Sequence, residues 1–537
     1  MRSRPSADAR RAAGRLCFVD FSGPEVEAPL ERMIADECLA GVVLFQKNVV
    51  SPTQVAGLTA ALRAIRREGP PLWLSIDHEG GLVTRFPMSP APGGPAMTAL
   101  PSAMALGAAG DPALARRAGE VAGRELRALG FSLNFAPVLD VNNNPSNPVI
   151  GTRAFGETPA QVATMGLAYA AGLEASGVAS TVKHFPGHGD VTVDSHLGLP
   201  RVTHDLARLE AVELAPFAAA ARAGVAAVMT AHIVFPALDP SGVPATMSAP
   251  ILTDLLRTRM GFRGFVVSDS LSMRAIVDHF GAGEAAVAAV RAGCDAVLAL
   301  GPVELQREIL DRLADAIEHG AIPAGRVVAA ADRLARAAVR WVPATAAGAV
   351  TRGGAASSRV ADLPTAVGTA EHQAVARAIA DAAVTLVCDR RGVLPLRGRR
   401  VGVVTLGGDD AGSCDLVEPL RRHGAEARAC MPGDDVSSVD YVVAVTYSRG
   451  MVAPTYAAAI KALHGRVGDR FVVLAAGDPY DLLQFPEVST YVTTYGADPY
   501  TLDAAARVLL GALSPLGRLP VSLPGLNTRN GGAGGAR

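Results

Sequence analysis

At 537 residues the chain is too long for one ordinary domain and predicts two or three. Hydrophobic residues make up 49% and the formal net charge is -1, leaving neither a basic stripe for nucleic acid nor an acidic tail or charged patch for a membrane surface. The expected partner is therefore a small molecule, neutral or weakly charged.

In chain order, Met1 to Arg15 is rich in Arg and Ala but lacks the ~7–15 apolar residues of a secretory signal. No later run reaches membrane-spanning length, so a cytoplasmic protein is expected. Short β-branched runs then alternate with Ala/Leu-rich stretches: Leu16–Phe21, Gly41–Phe45, Leu72–Ile76, Leu133–Val138, Ala179–Val182, Ala226–Met229, Gly264–Val267 and Ala296–Leu300. Helices such as Gln161–Ala175, Leu206–Ala223 and Gly283–Ala292 fall between them, and eight such repeats predict an α/β fold with an N-terminal (β/α)8 TIM-like barrel over residues 1–341. A doubly wound sheet is the competing arrangement. Polar clusters following at least five strands at the same end favour the barrel, whose mouth would gather them.

Residues 342–365 turn to Ala, Gly, Thr and Ser without periodicity and read as a linker. A smaller three-layer α/β sandwich domain is expected over 366–526, with strands Val384–Cys388, Val401–Thr405, Tyr441–Val445, Phe471–Ala475 and Thr490–Thr493. The Gly-rich tail, 527–537, is expected to be disordered. The six cysteines (Cys17, Cys38, Cys294, Cys388, Cys414, Cys430) have no CxxC spacing and read as buried free thiols.

The densest chemistry lies in Lys183-His184-Phe185-Pro186-Gly187-His188-Gly189-Asp190-Val191-Thr192-Val193-Asp194-Ser195-His196. It follows a buried strand, and Pro186, Gly187 and Gly189 forbid regular continuation, so the polar groups emerge together. Asp194 lies two residues from His196 and can fix its tautomer, leaving the other ring nitrogen to shuttle a proton. A solvated surface loop is the plain alternative. A metal site using His184, His188, Asp190, Asp194 and His196 is another, disfavoured because the spacing matches no familiar zinc pattern and Lys183 would stand beside the ion.

Asp269 ends the apolar run Phe265-Val266-Val267-Ser268, placing a lone carboxylate where a nucleophile or a helix N-cap would sit. Lys183 and His184 can hold substrate hydroxyls or form a structural ion pair, for which Asp140 is a candidate partner. In Asp77-His78-Glu79-Gly80-Gly81, Asp77 can accept bonds from vicinal hydroxyls; a tight capped turn is the alternative. Arg153 can fork onto a hydroxyl or carbonyl, or bridge to a loop acid. His232 reads as a satisfied core histidine and is left outside the site.

Together these segments resemble glycoside hydrolase family 3, and within it the β-N-acetylglucosaminidase branch. The resemblance covers nearly the whole chain: Phe21-Ser22-Gly23, the Asp77–Gly81 turn, Asn134-Phe135-Ala136-Pro137-Val138-Leu139-Asp140, Ile150-Gly151-Thr152-Arg153-Ala154-Phe155, the 183–196 motif, Ser268-Asp269, and Gly517-Arg518-Leu519-Pro520-Val521. It implies that Asp269 is the nucleophile, His196 the acid/base and Asp194 its orienting partner. Asp77, Arg153, Lys183 and His184 would bind the non-reducing-end sugar. The implied reaction is retaining, exo-acting hydrolysis of terminal β-linked N-acetylglucosamine from muropeptide or chitin-derived fragments through a glycosyl-enzyme, with cell-wall recycling as its setting. No cofactor or metal is implied.

Phosphate replacing water would make a phosphorylase, and a β-glucosidase is a further alternative, although such members generally lack the Asp-Ser-His loop. A non-catalytic sugar-binding protein would be favoured only if the nucleophile or dyad were missing. His78 stands where Gln is common, Leu82 where Arg is frequent and Val191 where Thr often follows, which bears on the sugar pocket and the resting loop. Oligomeric state has no signature in the sequence, and a direct catalytic role for the second domain is not expected, though it can shape the mouth.

Overall fold

A computed structural model describes residues 5–66, 68–87, 96–192, 194, 198–343, 365–397, 400–407 and 414–526. The expected linker lies largely outside these residues, as do the expected disordered tail and His196.

The β-branched runs are buried on both faces, which suits parallel strands covered by helices. They form β1 (Cys17–Val19), β2 (Gly41–Leu44), β3 (Trp73–Ile76), β4 (Leu133–Asn134), β5 (Ala179–Phe185), β6 (Ala227–Thr230), β7 (Phe265–Ser270) and β8 (Ala296–Ala299). All neighbours are parallel, and β1 pairs with β8 (Cys17 opposite Val297) to close the barrel. Alternation along each strand separates two cores. In β2, Val43 joins Phe18, Trp73, Phe135, Met229 and Phe265 inside the barrel, whereas Val42 and Leu44 pack outward with the helices.

Helices Pro112–Ala128 and Pro159–Ala175 approach closely because glycine faces backbone: a Cβ on Gly119 would stand 2.1 Å from the Tyr169 carbonyl. Two elements differ from expectation. Strand β4 stops at Asn134, because the chain then turns through Pro137 and rejoins the sheet only as a single bridge from Val138 to Lys183. The helix expected over Leu206–Ala223 is broken into Leu206–Ala211 and Leu214–Ala223, where Val212 leaves helical geometry and buried Glu213 turns to Arg208.

The second sheet contains β9 (Thr385–Asp389), β10 (Arg400–Gly407), β11 (Glu426–Ala429), β12 (Tyr441–Tyr447), β13 (Phe471–Ala475) and β14 (Thr490–Thr493), in the order β11-β10-β12-β13-β14-β9. Only β9 runs antiparallel to its neighbour. Strand β11 was not expected: Glu-Ala-Arg-Ala has no β-branched residue, and as an edge strand it buries only Ala427 well. Helices cover both faces, completing three layers.

The two parts of the chain share a core. Met104, Ala105 and Ala108, from the barrel-side helix Ala103–Ala109, pack into the apolar cluster of the second sheet. Ser102 caps that helix and donates through its hydroxyl to the Tyr495 carbonyl at 2.7 Å. Asn142 reaches the Tyr480 hydroxyl at 3.0 Å, and buried Glu125 meets His372 at 2.8 Å. All six cysteines are free, five of them buried. No helix among the described residues is long and apolar enough to cross a membrane.

Candidate active site

The C-terminal ends of the barrel strands open into a cavity of about 940 Å³. Asp77, Glu79, Arg85, Arg153, Lys183, His184, His188, Asp194 and Asp269 line it, so every candidate site residue that is described converges there. Asp194 stands at its wall, and His196 lies outside the described residues.

After β3 the chain makes a tight turn. Asn134 pins it by accepting from His78 N–H at 2.9 Å and donating to His78 O at 2.8 Å. Gly80 and Gly81 have φ of +92 and +55, and Cβ atoms there would press on Pro101 and Ser102. Asp77 and Glu79, two residues apart in this turn, both face the Lys183 side chain.

Between them sits the Lys183 ammonium, 2.8 Å from Asp77 Oδ1 and 2.7 Å from Glu79 Oε1. Arg153 donates two parallel bonds to Glu79, each 2.9 Å, and Arg85 reaches Asp77 Oδ2 at 3.1 Å. Burial alone would raise the Glu79 pKa, but Arg153 and Lys183 overcome it and hold the carboxyl well below the usual range. Burial likewise works against charge on Lys183 and Arg153, and their acidic partners raise both above ordinary values. Three cations and two carboxylates thus form one ionised lattice in which each side chain is held by at least one partner of opposite charge.

Asp140, fully buried, organises the end of β5. Its Oδ1 accepts the backbone N–H groups of His184 (3.0 Å) and His188 (2.7 Å), and its Oδ2 meets His184 Nδ1 at 2.7 Å. His184 Nε2 lies on the cavity side, 3.5 Å from an Arg153 nitrogen. Both readings of Lys183 and His184 thus hold geometrically: each is ion-paired, and each faces the cavity. The same is true of Arg153, bridged to Glu79 while lining the mouth. His188 is pushed down to about 4 by burial and then by neighbouring His184, so it is neutral near pH 7.

Asp269 is the penultimate residue of β7 and accepts from Ser270 N–H at 2.7 Å. Burial would raise its pKa, but His232, His184, the Ser270 N–H and Lys183 together lower it, so the carboxylate is ionised and available. His232 is buried with both ring nitrogens engaged, by Thr246 Oγ1 at 2.8 Å and the Ser270 carbonyl at 2.9 Å. It is a satisfied core histidine that also sets the electrostatics of Asp269.

Among the described residues one group brings three ligand atoms within 4.8 Å: Asp190, His204 and Glu213. It shares only Asp190 with the set considered from sequence. Its atoms are already engaged, Asp190 with His204 at 2.6 Å and Glu213 with Arg208 at 2.6 and 2.8 Å.

Of the three departures, His78 faces Thr84 and Phe86 away from the cavity, and burial pushes it down to about 4. Leu82 lines the cavity, and Val191 is buried. The residue-level reading missed Glu79 as the hub of the lattice, although its two-residue spacing from Asp77 was a usable signal. It also missed Arg449 and Asp478, which line the same cavity from the second domain; nothing local in the sequence places them there.

The pattern described for the Glycosyl hydrolase family 3 N terminal domain matches residues 10–337. Beta-hexosaminidase A of Pseudoalteromonas piscicida is 32% identical over an alignment of 592 residues, spanning 97% of this chain and 93% of that protein. The solved family 3 beta-N-acetylglucosaminidase of Paenibacillus sp. str. FPU-7 superposes with a TM-score of 0.85 at 36% identity, covering 96% of this chain and 98% of its own. NagZ from Neisseria gonorrhoeae, solved in complex with N-trifluoroacetyl-D-glucosamine, matches at 33% identity and a TM-score of 0.55 over 68% of this chain and 97% of its own. The chain belongs to glycoside hydrolase family 3.

Proposed function

We propose that this glycoside hydrolase is a retaining, exo-acting β-N-acetylglucosaminidase that releases terminal β-linked N-acetylglucosamine from muropeptide or chitin-derived fragments. The observation that carries the reading is Asp269: an ionised carboxylate at a barrel strand end, opening into one cavity with Asp77, Arg153, Lys183 and His184. The relatives named as hexosaminidases favour the N-acetylated sugar over glucose.

In the proposed cycle the ionised lattice presents hydrogen-bonding edges to the ring hydroxyls. Asp77 accepts, Arg153 and Lys183 donate, and His184 offers Nε2. Asp269 attacks the anomeric carbon while His196, oriented by Asp194, protonates the leaving oxygen. A glycosyl-enzyme forms and the aglycone departs. His196 then removes a proton from the incoming water, which displaces Asp269 and restores the original configuration.

Initial rates on 4-nitrophenyl N-acetyl-β-glucosaminide and the matching glucoside, with and without phosphate, test this. Free N-acetylglucosamine at a rate independent of phosphate supports the hydrolase. A sugar 1-phosphate formed faster with phosphate would replace it with a phosphorylase, and preference for the glucoside would replace the sugar assignment.

A further inference from the structure

Asp478 opens the short helix Pro479–Gln484 just beyond β13, on the second domain, yet it lines the barrel's cavity. Its side chain is buried and reaches across to the turn Gly151–Arg153. The Thr152 backbone N–H points at this carboxylate, and Gly450 N–H bonds to its Oδ2. Gly151 has φ of +44, and a Cβ added there would stand 2.4 and 2.5 Å from the two Asp478 oxygens. A side chain here would have to displace the Asp478 carboxylate and adopt a left-handed backbone, which favours glycine.

The residue that this turn delivers is Arg153. Its guanidinium is fixed by Glu79 from the barrel side, and its own backbone N–H bonds back to Ile150 at 2.9 Å. Asn147 accepts the backbone N–H groups of Val149 and Ile150 at 2.9 and 3.0 Å, and a further support of the turn comes from the second domain. There Asp478 and Asp481 also fasten the 448–452 loop: Ser448 Oγ and Val452 N–H bond to Asp481 Oδ1 at 2.8 and 2.9 Å.

We infer that Asp478 is a positioning residue for sugar binding, holding the Gly151–Arg153 turn so that the Arg153 guanidinium stands where the substrate meets it. The second domain thus tunes affinity in the barrel's site without touching the reacting atoms. This rests on the proposed sugar-binding role of Arg153.

The test compares KM and kcat for 4-nitrophenyl N-acetyl-β-glucosaminide in Asp478→Leu, Asp478→Asn, Arg153→Ala and the double variant Asp478→Leu with Arg153→Ala. The leucine variant should raise KM about tenfold or more with kcat changed less than threefold, the pattern of lost uniform binding. Asparagine, which keeps an acceptor oxygen, should restore most of it. The double variant should bind no worse than Arg153→Ala alone. Wild-type KM in Asp478→Leu, or additive losses in the double variant, would overturn the inference while leaving the role of Arg153 intact. Wild-type KM in Arg153→Ala would overturn both. Should the leucine variant not fold, Gly151→Ala disturbs the same contact from the other side and must raise KM likewise, or the inference falls.

Discussion

Removing the charge of Glu79 is the sharpest perturbation of the ionised lattice. Its buried carboxylate carries three bonds of 2.7–2.9 Å, two from Arg153 and one from Lys183. At such distances and an effective dielectric of about 20, each charge pair attracts by roughly 6 kcal/mol before desolvation is counted. Breaking one side of a buried pair costs about 3–5 kcal/mol net, since the partner charges remain buried. In Glu79→Gln, one Arg153 bond also meets an amide N–H instead of an acceptor. The barrel transition in a thermal melt at pH 7 should therefore fall by roughly 6–15 °C, taking about 2–3 °C per kcal/mol for a domain this large. The KM for an N-acetylglucosaminide should rise in parallel, because Arg153 loses its fixed orientation.

The effect has a definite pH sense. The folded pKa of Glu79 lies below its unfolded value, so its contribution is fully present above about pH 4.3 and is lost as pH falls toward the folded value. The gap between wild type and Glu79→Gln should accordingly narrow as the melt is repeated below pH 4. A variant melting within 1 °C of wild type at pH 7, with an unchanged KM, would refute the reasoning.

Asp269→Ala should abolish turnover on every glycoside while far-UV circular dichroism stays that of the wild type; substantial residual activity would remove Asp269 as nucleophile. His196→Ala should slow glycosides with poor leaving groups far more than activated aryl glycosides in the first chemical step, and equal losses on both would argue against an acid role. Asp481 behaves oppositely to Glu79: burial raises it to about 6, so folding binds its proton and stability is lost as pH rises from about 4 through 6. The stability of Asp481→Asn relative to wild type should shift in the variant's favour by about 2–3 kcal/mol between pH 4 and pH 8, read from denaturant titrations. A difference independent of pH would mean that the buried carboxyl does not titrate in this interval.

The barrel was legible because its strands, covered by helices, are continuous apolar runs that end in polar clusters. Strand β11 was not, because an edge strand with one well-buried alanine has almost no hydrophobic pattern. Asp77, Lys183, His184 and Asp269 were readable from their places at strand ends. The lattice joining them was harder to foresee. That Lys183 pairs with both Asp77 and Glu79, and that Asp140 grips His184 rather than Lys183, depends on register between β3, β4 and β5, which pairs Ser75 with Leu133 and Leu133 with Ala179. Asp478 was beyond local reading altogether. Its meeting with Gly151 spans more than three hundred residues of sequence and is set by the docking of two separate folds.

Retaining hydrolysis through Asp269 requires a covalent sugar on that residue. Incubating the protein with a slowly hydrolysed 5-fluoro N-acetyl-β-glucosaminyl fluoride, followed by proteolysis and peptide mass spectrometry, tests it most directly. One fluorinated N-acetylhexosaminyl group is expected on the peptide carrying Asp269, and none on Asp269→Ala. A sugar on another carboxylate, or full inactivation with no adduct on any peptide, would contradict it.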